Sequence, residues 1–441
     1  MSWKIVIAGG GFGGLYAART LEKRMPRQSA QLTLVSDVNF MLYTPLLPGA
    51  GAGTLDPRHV VVPLREELSA TDLRLGRVTG ADPLGKRLFL TTAHGHEEEL
   101  GYDQLIVTLG AVSRTLPVPG LAEHAIGFKT LPEAIELRNR VLRSLEIAET
   151  LDDPAQRQAY LTFVFVGAGY AGLEGLAELQ DFAADVIALY PRCRTQGMRW
   201  ILVEARDRVM GEIDKPLADF AAAELRGRGI DIRTSTTLEE VGAAHARLSD
   251  GEVVTTRTVC WTAGVKPHPV VAKLGLPLDE GGRIVVDRAM RVKGVDGVWA
   301  IGDNAAVPDP AQKYAKPSPP TCQHAIRQGR TVARNVAAAI AGERIRPFKY
   351  KTLGVFVDLG QYQAVAETLG IRWRGRPAWV LARTYHLLMM PGTKRKLRLL
   401  VDWNVQLLFG RDSSELGGLG HPPPLDQSPP SRAPTITTTD G

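Results

Sequence analysis

The sequence is poor in cysteine, in aromatic residues and in long apolar runs. Its 441 residues include three cysteines and 6% aromatic residues. So few cysteines in so long a chain exclude a disulfide framework. The sequence has no run of about 18 to 20 apolar residues, so no transmembrane helix is predicted. The first residues enter an apolar strand without the charged segment and cleavage site of a signal peptide, and none is expected.

The positions of the cysteines exclude a further class of chemistry. Cys193, Cys260 and Cys322 form no C-x-x-C or similarly close pair, so a redox-active dithiol is not expected. Each cysteine is interpreted as a small core residue. Hydrophobic residues make up 44% of the chain and charged residues 23%, an ordinary globular composition. The length predicts two or three domains.

Glycine is abundant, with 45 residues, and a G-x-G-x-x-G motif lies between a strand at 5–8 and a helix at 15–23. Its glycines permit a tight turn, the approach of the backbone to a pyrophosphate, and close helix–strand packing. The glycines predicted to contact this first nucleotide are Gly9, Gly11, Gly13 and Gly14. An acid after the next strand would hold the ribose. Asp37 is the preferred candidate, with Ser36 as a substitute.

The same pattern returns about 158 residues later, between a strand at 161–166 and a helix at 173–182. The residues predicted to contact the second nucleotide are Gly167, Gly169, Tyr170 and Gly172. The following strand ends in Glu204, and an acid there favours NADH. Arg206, two residues later, would suit the 2′-phosphate of NADPH. Two nucleotide sites in one chain indicate FAD and NADH, between which a hydride can pass.

Residues 297–303 end in Gly-Asp and resemble a late strand of the two-dinucleotide-domain flavoproteins. Residues 107–110 and 261–264 resemble the crossover strands of that superfamily. The resemblance implies an α/β fold with two Rossmann-like domains, and further cofactor contacts from Thr108, Gly110, Gly264, Gly302 and Asp303. The expected division is a discontinuous FAD domain (1–115 and 285–345), an inserted NADH domain (116–284), a C-terminal quinone- and membrane-docking region (346–416) and a disordered tail (417–441).

Three stretches resemble the type II NADH dehydrogenases, which are non-proton-pumping NADH:quinone oxidoreductases. Residues 40–48 resemble the loop beside the flavin ring, which implies cofactor contacts from Thr44, Pro45 and Leu46. The second stretch, 167–179, implies that Glu174 lies between the nicotinamide and the flavin. The third, 319–329, resembles the quinone-site motif. Gln323 matches its first glutamine and Arg327 stands at its second.

The resemblance implies transfer of a hydride from NADH to FAD, and then of two electrons to a membrane quinone. Glu174, Gln323 and Arg327 are the predicted catalytic residues, and Gln323 can also bond the flavin edge. One alternative is a sulfide:quinone oxidoreductase, which would need Cys193 and Cys322 as a pair. Another is a redox- or nucleotide-sensing flavoprotein without quinone turnover. No metal site and no nucleic-acid partner are predicted.

The C-terminal region is strongly basic. Residues 370–411 contain nine basic residues against one acidic residue, hence +8, whereas the whole chain carries +6. Trp, Leu and Met are interleaved with these charges, and Pro391-Gly392 divides the region into two predicted helices. This composition is typical of an anchor on anionic lipid. We therefore expect residues 370–416 to dock the protein on the cytoplasmic face of the cell membrane. Packing on the protein's own core, or a homodimer interface, is the alternative.

Overall fold

The computed structural model describes residues 2–26, 28–309, 317–352 and 354–417. Except for Gly417, the predicted disordered tail lies outside these ranges. Within them, no helix has the length and hydropathy needed to cross a bilayer.

The strands are short and numerous. In chain order they are β1 (Trp3–Ala8), β2 (Ala30–Ser36), β3 (Phe40–Leu42), β4 (Val61–Pro63), β5 (Thr71–Asp82), β6 (Arg87–Thr92), β7 (Glu97–Gly101), β8 (Gln104–Val107), β9 (Ala111–Ser113), β10 (Ala125–Gly127), β11 (Thr162–Val166), β12 (Arg199–Val203), β13 (Ile230–Arg233), β14 (Leu238–Val241), β15 (His245–Leu248), β16 (Val253–Thr255), β17 (Thr258–Trp261), β18 (Val265–Pro267), β19 (Ile284–Val285), β20 (Val298–Ala300), β21 (Ala305–Ala306), β22 (Gly354–Asp358), β23 (Ala364–Thr368) and β24 (Ile371–Arg374).

The helices lie between these strands and at the C-terminal end. They are α1 (Phe12–Arg24), α2 (Leu47–Gly51), α3 (Leu64–Glu67), α4 (Leu121–His124), α5 (Leu131–Thr150), α6 (Pro154–Tyr160), α7 (Tyr170–Val186), α8 (Pro191–Gln196), α9 (Lys215–Gly227), α10 (Cys322–Ile340), α11 (Gly375–Met389) and α12 (Thr393–Phe409). Short 3₁₀ helices occupy Thr44–Leu46, Pro57–His59, Ile187–Leu189, Pro269–Lys273 and Gly302–Asn304.

The first sheet has the strand order β20-β8-β1-β2-β5-β6-β7. Its first five strands are parallel, and β5, β6 and β7 continue it as an antiparallel meander. The strand β20 comes from residues 298–300 yet pairs with β8. Residues far apart in the sequence therefore build one sheet.

The second sheet is parallel throughout, in the order β10-β17-β11-β12-β13. Its central strands are fully buried runs such as Thr162–Val166, as expected for a sheet covered on both faces. The predicted fold class, α/β with two Rossmann-like sheets, is confirmed. The antiparallel pair β9 and β18 lies where the chain passes between the two sheets.

Two large apolar clusters form the core. One joins the first sheet to α1 and α10, and also contains residues 270–276. The other joins the second sheet to α5, α7 and α9. The predicted domain boundaries stay a prediction, but residues 270–276 pack with the first cluster although the predicted NADH domain runs to 284.

The C-terminal region contributes to both clusters. The sheet β22-β23-β24 is antiparallel, and its Val357 and Val365 join the second cluster. Met390 and Leu399, which belong to the α11–α12 part, join the first cluster. The break between the two helices falls at Met390–Gly392. The sequence does not predict β22 to β24, whose strands have only four or five residues.

Candidate functional site

The two glycine loops have the same backbone geometry. Gly9 and Gly167 have φ values of +114° and +102°, where residues with a Cβ are strained. A Cβ on Gly14 would stand 1.9 Å from the carbonyl oxygen of Gly9, and a Cβ on Gly172 would stand 1.9 Å from that of Gly167. Each helix therefore packs on its turn as closely as glycine allows.

Each loop also leaves open space before a helix. Apart from their chain neighbours, no described residue has a heavy atom within 4 Å of the position that a Cβ would take on Gly11 or Gly169. These glycines are the N-caps of α1 and α7, and neither helix start has a side-chain cap. Tyr170 is the first residue of α7. Exposed amides and a positive dipole end beside open space fit a pyrophosphate at each loop.

Two further segments close the first nucleotide site. Thr108 is buried, and its hydroxyl would lie 2.5 Å from a Cβ on Gly13. The amide of Gly110 donates to Asn304 Oδ1 at 2.9 Å. The amide of Gly302 donates to Gln328 Oε1 at 2.8 Å, so the glutamine after Arg327 holds the Gly-Asp turn.

Asp303 follows Gly302 in this turn. Burial raises the pKa of its carboxyl group, and the nearby Lys129 offsets part of the shift. A hydroxyl-rich ligand beside this carboxyl group would supply the hydrogen bonds that stabilise it. The residues around the loop thus fit the ribityl and phosphate part of FAD.

The ribose positions of the two sites differ. Glu204 directly follows β12, and its Oε2 accepts the amide of Ala168 at 2.7 Å, which places an acid directly against the second loop. At the first loop, Ser36 is buried beside Gly10, whereas Asp37 is exposed. The contact between Asp37 and a ribose stays a prediction, and the packing favours the substitute, Ser36.

Gly264 and the segment 44–46 are further predicted cofactor contacts. Gly264 has a φ of +95° and lies between β17 and β18. Thr44, Pro45 and Leu46 form a 3₁₀ turn that follows Tyr43. Tyr43 is 2% exposed, and its ring packs edge-on against Phe12 of the first glycine loop at 5.7 Å.

Gln323 lies in the first turn of α10, which Thr321 caps by accepting the amide of His324. The side-chain amide of Gln323 donates to the carbonyl of Gly354 at 3.2 Å, and its Oε1 accepts the hydroxyl of Tyr350 at 2.7 Å. Arg327, one turn later, lies over the ring of Tyr350 at 4.2 Å and donates to the Gln323 carbonyl. The structure therefore brings Gln323 and Arg327 together around Tyr350.

Gly354, which Gln323 contacts, begins β22, and Glu174 of α7 contacts the other end of this strand. Its Oε1 accepts the amide of Asp358 at 2.9 Å. Burial raises the pKa of Glu174 well above the ordinary value, and the charges of Asp358 and Glu178 add to the shift. Glu174 and Gln323 thus bind opposite ends of β22 (Gly354–Asp358), which are roughly 13 Å apart at ~3.3 Å per residue.

Aromatic side chains that the sequence analysis missed lie along the middle of β22. Phe356 stacks on Tyr385 at 4.6 Å, and His386 is edge-on to both rings at 6.1 and 5.3 Å. His386 Nδ1 lies 3.4 Å from the hydroxyl of Tyr43. Burial lowers the pKa of His386 to about 4, so this imidazole is neutral at pH 7. No local sequence signal marks this group, because it assembles from three distant segments.

The cysteines do not form a site. Cys193 is fully buried, and its Sγ contacts the carbonyl of Leu145 at 3.6 Å. Cys322 begins α10, near Asp303 and Arg327. Burial raises the pKa of Cys193 to about 12 and that of Cys322 to about 11. Both thiols are therefore protonated. Both are also free cysteines, one against α5 and the other at the start of α10, so the described structure does not show the pair that sulfide chemistry requires.

Comparison with known proteins supports this arrangement. Residues 3–329 match the pyridine nucleotide-disulphide oxidoreductase family. The chain is 31% identical over 428 residues to the type II NADH:quinone oxidoreductase Ndh of Mycobacterium tuberculosis, covering 92% of this chain and 89% of that one. It is 28% identical over 410 residues to the demethylphylloquinone reductase NdbB of Synechocystis, covering 91% and 95%.

A solved structure has the same fold. NDH2 from Plasmodium falciparum, in complex with NADH, superimposes with a TM-score of 0.86 at 17% identity, covering 94% of this chain and 100% of that one. Two dinucleotide loops joined to a third, C-terminal site define a flavin-dependent pyridine nucleotide oxidoreductase. Within that class, the chain belongs to the type II NADH:quinone oxidoreductase family.

Proposed function

We propose that this protein oxidises NADH and reduces a membrane quinone, by the net reaction NADH + H⁺ + quinone → NAD⁺ + quinol. The supporting observation is that Glu174 and Gln323 hold the two ends of β22. These residues come from the helix of the second glycine loop and from the helix after the Gly-Asp turn. Groups beside both nucleotide sites therefore converge on one strand of the C-terminal sheet.

FAD, when bound, supplies the two-electron chemistry that separates NADH oxidation from quinone reduction. The residues of the chain position the two nucleotides and the quinone, and they supply a proton to the quinone. The glycine loops hold the two pyrophosphates, and Glu204 selects NADH through its ribose. Burial raises the pKa of Glu174, which suits this carboxyl group to donate a proton towards the quinone. Gln323 and Arg327, fixed by Tyr350, orient the quinone oxygen.

Steady-state kinetics test this function. The FAD-loaded protein is expected to oxidise NADH at a rate that depends on added short-chain quinone. The Gln323→Ala variant should raise KM for quinone more than KM for NADH. Sulfide-driven quinone reduction that is lost in Cys193→Ala would instead favour the sulfide:quinone oxidoreductase. NADH binding without quinone-dependent turnover would favour a sensor.

We further propose that α11 and α12 dock on anionic lipid from the cytoplasmic side. Exposed apolar side chains recur on α12 at helical spacing, at Leu397, Leu400, Val401, Val405 and Leu408. Lys394 and Arg398 flank this row and are also exposed. An apolar row beside cations is the pattern of an interfacial helix.

The structure reduces the number of cations that this surface can offer. Arg395 is 6% exposed and donates to the carbonyl of Arg58. Arg383 lies over Trp379 and Trp403 at 4.2 and 4.9 Å, and Arg411 is turned towards buried acids. These three cations are therefore not available to a lipid headgroup. A second copy covering the same row, as a homodimer, is the competing arrangement.

A further inference from the structure

Helix α7 carries two further buried acidic residues on the turns that follow the predicted catalytic residue Glu174. Glu178 and Asp181 follow Glu174 at the spacing of successive turns and are 3% and 8% exposed. Asp358 of β22 faces the same acids, because its charge acts on both Glu174 and Glu178. Four carboxyl groups are therefore packed together between α7 and the C-terminal sheet.

Among the described residues, the guanidinium groups that face this cluster are those of Arg228, Arg383 and Arg411. Four carboxyl groups against three cations cannot all be ionised without leaving a buried negative charge uncompensated. Burial raises the pKa of Glu174 and Asp358, and that of Glu178 to about 7. The cluster thus retains at least one proton at neutral pH.

Arg411 makes the direct contacts to the outer part of the cluster. Its Nη2 lies 2.7 Å from Asp181 and 3.5 Å from Glu178, and its Nη1 lies 2.7 Å from Asp185. Its Nε donates to Thr54 Oγ1 at 3.3 Å. The side chain is only 5% exposed, and all three nitrogen atoms of this guanidinium have partners, of which Thr54 is the one that carries no charge.

The position of Arg411 is set by the segment 410–417, which follows α12 and lies across α5. Arg138 donates to the carbonyls of Asp412 and Ser414 at 2.6 and 2.9 Å. Arg143 pairs with Glu415 at 2.8 Å. A segment that leaves the proposed membrane helix therefore inserts one cation between Glu178 and Asp181.

We propose that Arg411 is a positioning residue that keeps Glu178 ionised and so assigns the proton of the cluster to Glu174. Arg411 contacts Glu178, whereas Glu174 lies one turn earlier in α7 and accepts the Asp358 amide. Without the cation, the desolvated Glu178 would itself take up a proton from solvent, and the loss of its negative charge would make Glu174 more acidic. This inference rests on the proposed role of Glu174 as proton donor.

The test is the pH profile of quinone reduction in single turnovers of the FAD-loaded, full-length protein. In the wild type, the rate falls on the basic side as Glu174 loses its proton. In Arg411→Gln this basic limb should move to lower pH by about one unit, a tenfold change in proton occupancy. Arg411→Lys, which keeps the charge, should restore it in large part.

Two matched variants separate this role from a structural one. Arg143→Gln removes the contact of the same segment at Glu415 and leaves the four clustered carboxyl groups unchanged. The basic limb of this variant should stay at the wild-type pH. Glu178→Gln removes the same negative charge by another route and should move the basic limb in the same direction as Arg411→Gln. The double variant Arg411→Gln/Glu178→Gln should then show no shift beyond that of Arg411→Gln. A limb that moved in Arg411→Gln but stayed at the wild-type pH in Glu178→Gln would indicate loss of packing around residue 411 instead.

An infrared titration gives a second readout that needs no turnover. The carbonyl stretch of the protonated acid is assigned by its loss in Glu174→Gln or in Glu178→Gln. We expect the band of Glu174 in the wild type, and an additional band that Glu178→Gln removes in the Arg411→Gln background. An unmoved basic limb in Arg411→Gln, or the absence of a protonated Glu178 in that variant, would overturn the inference. Failure of wild-type protein to reduce quinone would instead contradict the proposed function.

Discussion

The exposed end of α12 allows a quantitative prediction about lipid docking. Leu408 and Phe409 are 73% and 81% exposed, and changing both to serine removes this apolar surface. Full burial of one such side chain is worth ~1.5–3 kcal/mol. Scaled by the exposed fractions, the pair contributes about 2–5 kcal/mol to docking, which weakens partition into vesicles roughly 50-fold or more. Folding stability should change little, because both side chains are at the surface.

Sedimentation with vesicles measures this effect. Wild-type protein should pellet with vesicles of anionic phospholipid at low salt, and the double serine variant should remain largely in the supernatant. Leu84→Ser is the matched control, because Leu84 is 96% exposed in the turn between β5 and β6. If the double variant pelleted like the wild type while its dimer fraction fell in analytical ultracentrifugation, the row would be a dimer interface and the docking argument would be refuted.

Three further predictions follow from single contacts. Gly172→Val forces a side chain to within 1.9 Å of the Gly167 carbonyl, so calorimetry should show NADH affinity at least tenfold weaker while flavin content is retained. His386 is neutral when folded, with a pKa of about 4. The unfolded chain binds the extra proton between pH 6.5 and 4, so acidification lowers stability by up to a few kcal/mol. In urea titrations His386→Phe should lose less stability over this interval. Asp402→Ala breaks the 2.6 Å pair with His59 and should cost about 1–3 kcal/mol, seen as faster proteolysis within α12.

The glycine loops are predictable from the sequence because their determinants are local. A strand, a turn that only glycine can make and a helix occur within about twenty residues at both sites. The structure extends the predicted helices, from 15–23 to Phe12–Arg24 and from 173–182 to Tyr170–Val186. Both helices start inside the glycine motif, at the N-cap that leaves amides open to a phosphate.

The third part of the site is not predictable in the same way. The strand β22 carries no local signal, yet it is bound by Gln323 at one end and by Glu174 at the other. Tyr43, Phe356 and His386 meet only after the C-terminal region packs on both core clusters. Such contacts depend on the tertiary arrangement of separate segments.

The charge of the C-terminal region shows the same limit. The composition gives nine basic residues in this region, but it does not predict which of them point to solvent and which point into the protein. Three of these side chains point into the protein because their partners lie there. Arg383 packs on an aromatic ring, Arg395 donates to a backbone carbonyl, and Arg411 pairs with a buried acid. The spacing of Glu174 and Glu178 along α7 was visible in the sequence, and four-residue spacing of acids in a buried helix is the signal that could have indicated the cluster.

Anaerobic rapid mixing of the FAD-loaded protein tests the central claim most directly. NADH alone should bleach the flavin absorbance within the turnover time, and a short-chain quinone added afterwards should restore it. Quinone added to Gln323→Ala should restore the absorbance more slowly, while NADH bleaches that variant at the wild-type rate. A flavin that NADH does not bleach, or one that quinone does not reoxidise, would contradict the account.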